Sequence, residues 1–220
     1  MNTFMQNRLT VVLASSNPGK LAELRKLLGD LPIELVTLTE ALGLPHELRE
    51  DGDTFEANAV QKAKAACRLT QLCAIADDSG LEVDALGGRP GARSARFAHD
   101  RATDSENNAQ LLRELEDVPD EQRQARFRCV LALVSPWQAE RAHIAEGACQ
   151  GSIARAARGS GGFGYDPLFV VSEFPGRAMA ELSQEEKNSI SHRSRAVQGL
   201  HATLFELVSE QLNQVERICR

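Results

Sequence analysis

Ala76-Asp77-Asp78-Ser79-Gly80-Leu81 is the stretch on which the reading of this chain turns. It follows an apolar run, Leu72-Cys73-Ala74-Ile75, that reads as a short buried strand, and Gly80 breaks it. A second apolar segment, Leu81 to Leu86, then reads as another short strand. Two adjacent carboxylates at a strand end are unfavourable, because like charges repel and burial disfavours both ionised forms. Asp, Ser and Gly are also ordinary turn residues. The hexapeptide alone fits a solvated acidic turn as well as a metal or catalytic site.

Upstream, Leu9 to Ala14 is a β-branched apolar run that reads as a buried parallel strand. It ends in Ser15-Ser16-Asn17-Pro18-Gly19-Lys20, where Asn17 suits an N-cap and Pro18 the first helical position. Leu21, Leu24, Leu27 and Leu28 carry a helix from there. Backbone amides at the positive end of a helix, with Lys20 just inside, suit phosphate oxygens. A P-loop does not fit: Ala14 stands where the first glycine belongs, and Leu21 follows the lysine where Ser or Thr belongs.

Ile33 to Leu38 reads as a second strand, and Thr39 to Asp51 as an irregular connection carrying Glu47, Glu50 and Asp51. Asp53 or Thr54 caps a helix to about Thr70, in which Phe55, Ala59, Ala63 and Ala66 form a narrow apolar stripe. Asn58 and Lys62 share a face of it, one turn apart. Beyond the Asp-Asp stretch, Gly87 to Gly91 reads as a turn, and Thr103-x-x-Glu106 as a capping box opening a helix to about Glu116, with Leu111, Leu112 and Leu115 inward. Arg126 to Val134 is the strongest strand signal. Arg141 to Ile153 returns beside it as an antiparallel hairpin, bulged or bent at Gly147 and Gly151.

Arg158 to Pro167 holds Gly159, Gly161 and Gly164 in Gly-x-Gly-x-x-Gly spacing, but a strand follows rather than a helix, which rejects a dinucleotide fingerprint. Glycines let backbone approach a ligand, and Phe163 and Tyr165 offer ring faces for a base. Ser183-x-x-Glu186 caps a short helix. Ser191-His192-Arg193 opens a long final one with Val197, Leu200, Leu204, Phe205, Val208 and Leu212 on its apolar face.

The chain has 220 residues, 42% of them hydrophobic and 25% charged, enough for a substantial core in one folding unit, residues 1–220. Its formal charge of −6 argues against a non-specific nucleic-acid binder. Five cysteines with no Cys-x-x-Cys pair read as reduced, mostly core thiols of a cytoplasmic protein, without a zinc site. Met1 to Arg8 has no signal-peptide core, and the longest apolar run, Cys129 to Val134, is too short to span a membrane.

Pooled, these elements suit a magnesium–polyphosphate ligand with a base attached: carboxylates for a hard cation, lysines and arginine for phosphate, aromatics for stacking. The blocks Ser15 to Lys20, Glu50-x-Gly52-x-Thr54-Phe55-x-x-Asn58-Ala59, Ala76 to Leu81 with Val83 to Leu86, Pro90-Gly91 with Ser94 to Phe97, Gly162 to Pro167 with Phe169, Glu185 with Lys187, and Ser191 to Arg193 occur in one order. In that order the chain closely resembles the nonstandard purine nucleoside triphosphate pyrophosphatases, the inosine/xanthosine triphosphate pyrophosphatase family. Ala57 departs from a frequent Glu, and Ala157 from a frequent Pro.

The resemblance implies an α/β fold: an elongated mixed sheet flanked by helices, two lobes around a nucleotide cleft, and a homodimer. It implies Mg2+-dependent hydrolysis of inosine and xanthosine triphosphates, in ribo or deoxy form, to the monophosphate and pyrophosphate. Asp78 would be proton acceptor and metal ligand, with Glu50 the second ligand. Ser15, Ser16, Asn17, Pro18, Gly19 and Lys20 would bind substrate, with Lys62 and Ser79. So would Phe163, Gly164, Tyr165, Asp166, Lys187, His192 and Arg193. Two rivals are an enzyme of the related Maf-like pyrophosphatases and a nucleotide sensor without turnover. The Gly-Phe-Gly-Tyr-Asp-Pro and Ser-His-Arg blocks argue against the first, and Asp78 with Glu50 and the lysines against the second.

Overall fold

Leu9–Leu13 forms β1, and Val11, Val12 and Leu13 are buried whichever face they point to, as a parallel strand covered on both sides requires. The structure, a computed structural model, describes residues 8–46 and 48–218, the last eight of these by backbone alone. Glu47, Cys219 and the Leu212 side chain lie outside the described residues. β1 pairs in parallel with β2 (Ile33–Thr37) and with the start of β3 (Cys73–Val83). β4 (Gln124–Val134), β5 (Ala142–Ile153) and β6 (Phe169–Val171) follow, each antiparallel to its predecessor. The mixed sheet runs β2-β1-β3-β4-β5-β6.

The Asp-Asp stretch is not a turn. β3 runs unbroken through Asp77, Asp78, Ser79 and Gly80, and includes the start of the segment expected to be a separate strand. β4 pairs with it from Ala74↔Val134 to Val83↔Ala125. This ladder overrides the local turn preference of Asp, Ser and Gly. Successive strand residues point to opposite faces, so Asp77 and Asp78 do not share a surface.

Helices cover those faces. α1 (Pro18–Leu27) follows β1, capped by the Asn17 side chain as expected, and a short α2 (Leu38–Leu42) interrupts the connection expected to be irregular. Its cap is a Thr37–Glu40 capping box. α3 (Phe55–Thr70) is capped by Thr54 and lays Ala59, Ala63 and Ala66 on Ala74, Ala76, Val130 and Ala132. α4 (Asp104–Glu114) begins with the expected Thr103–Glu106 capping box, and α5 (Gln184–Ile190) with the Ser183–Glu186 one. α6 (His192–Ile218) packs Ala196, Val197, Leu200 and Leu204 with the α1 leucines on the opposite face, over Ile75, Leu131 and Leu133. A separate apolar cluster joins Leu81 and Val83 to α4 and to the Tyr165–Phe169 segment.

Two further details differ from expectation. β5 has no bulge: its register with β4 is continuous from Gln124↔Ser152 to Val134↔Ala142. Gly147 and Gly151 instead permit close approach. A Cβ on Gly147 would lie 2.1 Å from the His192 carbonyl oxygen, so this glycine lets the start of α6 descend onto the sheet. Phe205, expected inward, is 58% exposed, and Leu207 points inward beside Val208. Cys67, Cys73, Cys129 and Cys149 are free and buried, as expected. Among the described residues no helix is long and apolar enough to cross a membrane.

Candidate active site

β1 accompanies β3 only as far as Ile75. Beyond it the freed edge of β3 meets no strand until residues 89–94 arrive, where Ser94 Oγ accepts the Leu81 N–H and Glu82 bridges Pro90. Asp77 to Gly80 line that gap, which opens into a cleft of about 800 Å³. The unpaired Asp77 carbonyl accepts from two ammonium groups, Lys62 Nζ at 3.1 Å and Lys20 Nζ at 3.4 Å. A strand edge left open would carry unsatisfied backbone groups; here two lysines satisfy it and so stand together at the cleft floor.

On the α3 face, Lys62 Nζ also bonds Asp78 Oδ1 at 2.8 Å and Glu50 Oε1 at 2.7 Å. Asn58, one turn earlier, donates to Asp78 Oδ2 at 3.2 Å and accepts the Gly52 N–H, which ties the Glu50 loop to the helix. Burial pushes the Asp78 carboxyl up against the opposing pull of Lys62 and Lys20. Burial also acts upward on Glu50, but Lys62 outweighs it and the net shift is down. For Lys62, its two carboxylates outweigh burial, and it stays protonated. Two carboxylates around one lysine leave a net negative charge open to the cleft. Among the described residues no group of three or more His, Cys, Asp or Glu could form a metal cage. That donor set fits magnesium, which binds through one or two carboxylates and completes its shell with water and phosphate oxygens.

On the other face, Asp77 is fully buried among Lys20 Nζ at 2.8 Å, Arg193 Nε at 2.6 Å and the Ser79 hydroxyl at 2.7 Å. Burial acts upward on its carboxyl, but Arg193 and Lys20 prevail and hold it well below the ordinary range. Arg193 continues to Glu23 on α1 and to the Ser79 hydroxyl. Glu23 also takes Lys187 at 2.7 Å, and Lys187 takes Asp166 at 2.7 Å. These buried charges alternate in sign from the phosphate turn to the glycine loop. His192 stacks on Phe127, its Nδ1 meets no partner among the described residues, and burial drives its pKa well below the usual value, so the ring is neutral.

The glycine loop closes the cleft. Phe163 lies over the Lys187 ammonium (5.0 Å to the ring centre) and the Arg193 guanidinium (5.8 Å). Its edge reaches the phosphate turn, since a Cβ on Gly19 would lie 2.7 Å from Phe163 Cδ1. Gly162, at φ +74°, lets the loop fold over Asp166, whose Oδ2 accepts the Phe163 N–H.

The sequence-derived residues therefore converge. Ser15, Ser16, Asn17 and Lys20 line the cleft with Glu50, Lys62, Asp78 and Ser79. Phe163, Gly164, Asp166, Lys187, His192 and Arg193 line the same cleft. Pro18 belongs to the helix start behind it, and Gly19 to the contact with Phe163. Tyr165 reaches the cleft but buries its hydroxyl on the Ser94 carbonyl. Ala57 and Ala157, the two departures, are exposed and are not lining residues. Sequence reasoning missed Glu23, Asp104 and Phe127. Glu23 is an acid inside a leucine-rich helix three positions after Lys20, a spacing that places both on one face.

Comparison with known proteins shows which family the chain resembles. The Ham1 family model matches residues 11–203. A dITP/XTP pyrophosphatase of Desulforamulus reducens is 52% identical over 203 residues, 92% of this chain and 99% of the relative. One of Geobacter sulfurreducens is 51% identical over 187 residues, 85% and 92% of the two chains. A HAM1 protein structure from Coxiella burnetii superposes with a TM-score of 0.80 at 45% identity, covering 90% of this chain and 99% of that one. With residues 11–203 matched by the family model and most of its length by relatives and solved structures, the chain belongs to the Ham1 family.

Proposed function

We propose that this chain hydrolyses noncanonical purine nucleoside triphosphates, those of inosine, deoxyinosine and xanthosine, to the monophosphate and pyrophosphate. The observation that carries the reading is the meeting of Lys20 and Lys62 on the Asp77 carbonyl, beside the Glu50–Asp78 pair. It joins a phosphate-binding helix start to a carboxylate pair at one point. Family membership and the names of the relatives support the same reaction.

Asp78 accepts the proton of a water that attacks the α-phosphorus; the bond to the bridging oxygen breaks and pyrophosphate departs. Lys20 and Lys62 neutralise charge on the leaving group. Glu50 and Asp78 would hold Mg2+, which supplies charge neutralisation at the phosphates when bound. The base packs against Phe163, near the cationic donors Lys187 and Arg193. Such cationic donors suit a 6-keto oxygen and disfavour a 6-amino group, which is itself a donor. The buried, reduced cysteines fit a cytoplasmic enzyme, and a homodimer belongs to the same proposal.

A panel of nucleoside triphosphates with Mg2+, scored for pyrophosphate against orthophosphate, tests this. Pyrophosphate from inosine and xanthosine triphosphates, with little from adenosine triphosphate, is expected. Orthophosphate as product, or binding with no product, contradicts it.

A further inference from the structure

Phe163 is flanked by glycines at φ +74° (Gly162) and +62° (Gly164), with Gly159 at +75°. A segment so rich in left-handed glycine has many accessible conformations and little of its own to hold it. Asp166, inside the loop, holds the Phe163 N–H, and groups outside the loop must complete the fixing of the ring.

Two side chains on α4 do so by gripping one glycine. The Gly164 N–H donates to Asp104 Oδ2 at 2.7 Å, and the Gly164 carbonyl accepts from Asn108 Nδ2 at 3.0 Å. Asp104 and Asn108 are four apart and so lie one turn from each other on a single face. Asp104 stands in the first helical turn, where a negative charge is favourable. α4 is itself a fixed rail. Leu111 and Leu115 are fully buried. Asn107 bonds the Ala98 N–H and the Ala95 carbonyl. The buried Arg123 donates to the Leu115 carbonyl just past the helix. Asp166 holds the Phe163 N–H from the other side, so the aromatic residue is pinned before and after its side chain.

We infer that Asp104 and Asn108 are positioning residues that act through Gly164 to hold Phe163 as the wall of the base site. The inference rests on the proposed function for the identity of the base, but not for the existence of the pin. Neither residue takes part in the chemistry. Their loss costs the order of the loop, which a bound nucleotide must then restore.

Asp104→Ala and Asn108→Ala should each raise KM for inosine triphosphate about tenfold, the size of one hydrogen bond involving a charged or buried group. kcat should fall less than KM rises. Asp104→Asn keeps an acceptor for the Gly164 N–H and should recover most of the loss. The double alanine variant should cost less than the product of the singles, because both hold one residue. Amide hydrogen exchange of residues 159–166 in the ligand-free protein reads the pin without any substrate, and both alanine variants should lose protection there. Unchanged protection in both variants overturns the inference. So does a loss confined to kcat, or an Asp104→Asn variant as impaired as Asp104→Ala. If the parent releases no pyrophosphate but the exchange result holds, the proposed reaction fails and the pin stands.

Discussion

Asp77 and Asp78 are neighbours in sequence that lie on opposite faces of one strand, and their electrostatics are opposite as well. Asp77 faces α1 and α6, where Arg193 and Lys20 hold its carboxyl far down. Asp78 faces α3, where burial pushes its carboxyl up although Lys62 is bonded to it. One is a buried counter-ion. The other is a carboxylate kept at a disadvantage in the resting protein and available for chemistry.

Asp78→Asn should therefore cost activity and not stability. Removing a general base lowers turnover by roughly a thousandfold. Because burial disfavours the charge that the substitution removes, stability at neutral pH should be equal to or above the parent's. Pyrophosphate release and urea unfolding measure the two effects side by side.

Asp77→Asn should do the reverse in stability. It leaves the buried Arg193 guanidinium and Lys20 at the cleft floor without the carboxylate between them, and removing one partner of a buried ion pair costs about 3–5 kcal/mol. For a carboxyl held below its ordinary pKa of 3.8, the stabilisation is complete above that value and fades as pH falls through the depressed native one. The gap between parent and variant in urea unfolding should persist from pH 7 to below pH 4. A loss of less than about 1 kcal/mol would show that the ion pairs do not support the fold.

His192 sets a second pH dependence. Its pKa lies well below 6.5 in the folded protein, so as pH falls under 6.5 the unfolded chain gains a proton that the native one does not. Stability should decline across pH 7 to 5.5, by up to about 1.4 kcal/mol per pH unit. Asp78 and Asp166, whose carboxyls are raised above 3.8, act in the opposite sense at lower pH, nearer that value. Ligand-free His192→Gln should lose most of the decline, and a parallel slope in the variant would place it elsewhere.

Gly19 and Phe163 meet across the cleft, and Gly19→Ala tests the contact. The added methyl would stand 2.7 Å from Phe163 Cδ1, so the ring must move. Overpacking of this kind costs about 1–3 kcal/mol. KM for inosine triphosphate should rise roughly tenfold or more. An unchanged KM would mean that the ring already leaves this position when substrate binds.

Much of this was legible in the sequence, and the failures have a common cause. The strand-turn-helix around Asn17, the Thr54 cap and the Thr103 capping box are local devices, and each falls where its residues predict. The continuity of β3 through Asp77-Asp78-Ser79-Gly80 is tertiary. It comes from pairing with β4, 42 to 60 positions away by register, and local turn preference points the wrong way. Glu23 escaped notice because one acid in a leucine-rich helix is ordinary until Lys187 and Arg193 arrive from the far end of the chain. The grip of Asp104 and Asn108 on Gly164 likewise uses backbone groups that no side-chain pattern records.

Attack at the α-phosphorus, with Asp78 taking the proton, is the central claim, and solvent labelling tests it most directly. Hydrolysis of inosine triphosphate in water enriched in heavy oxygen should place one solvent oxygen in the inosine monophosphate and none in the pyrophosphate. Label in the pyrophosphate, or orthophosphate in its place, would contradict the account.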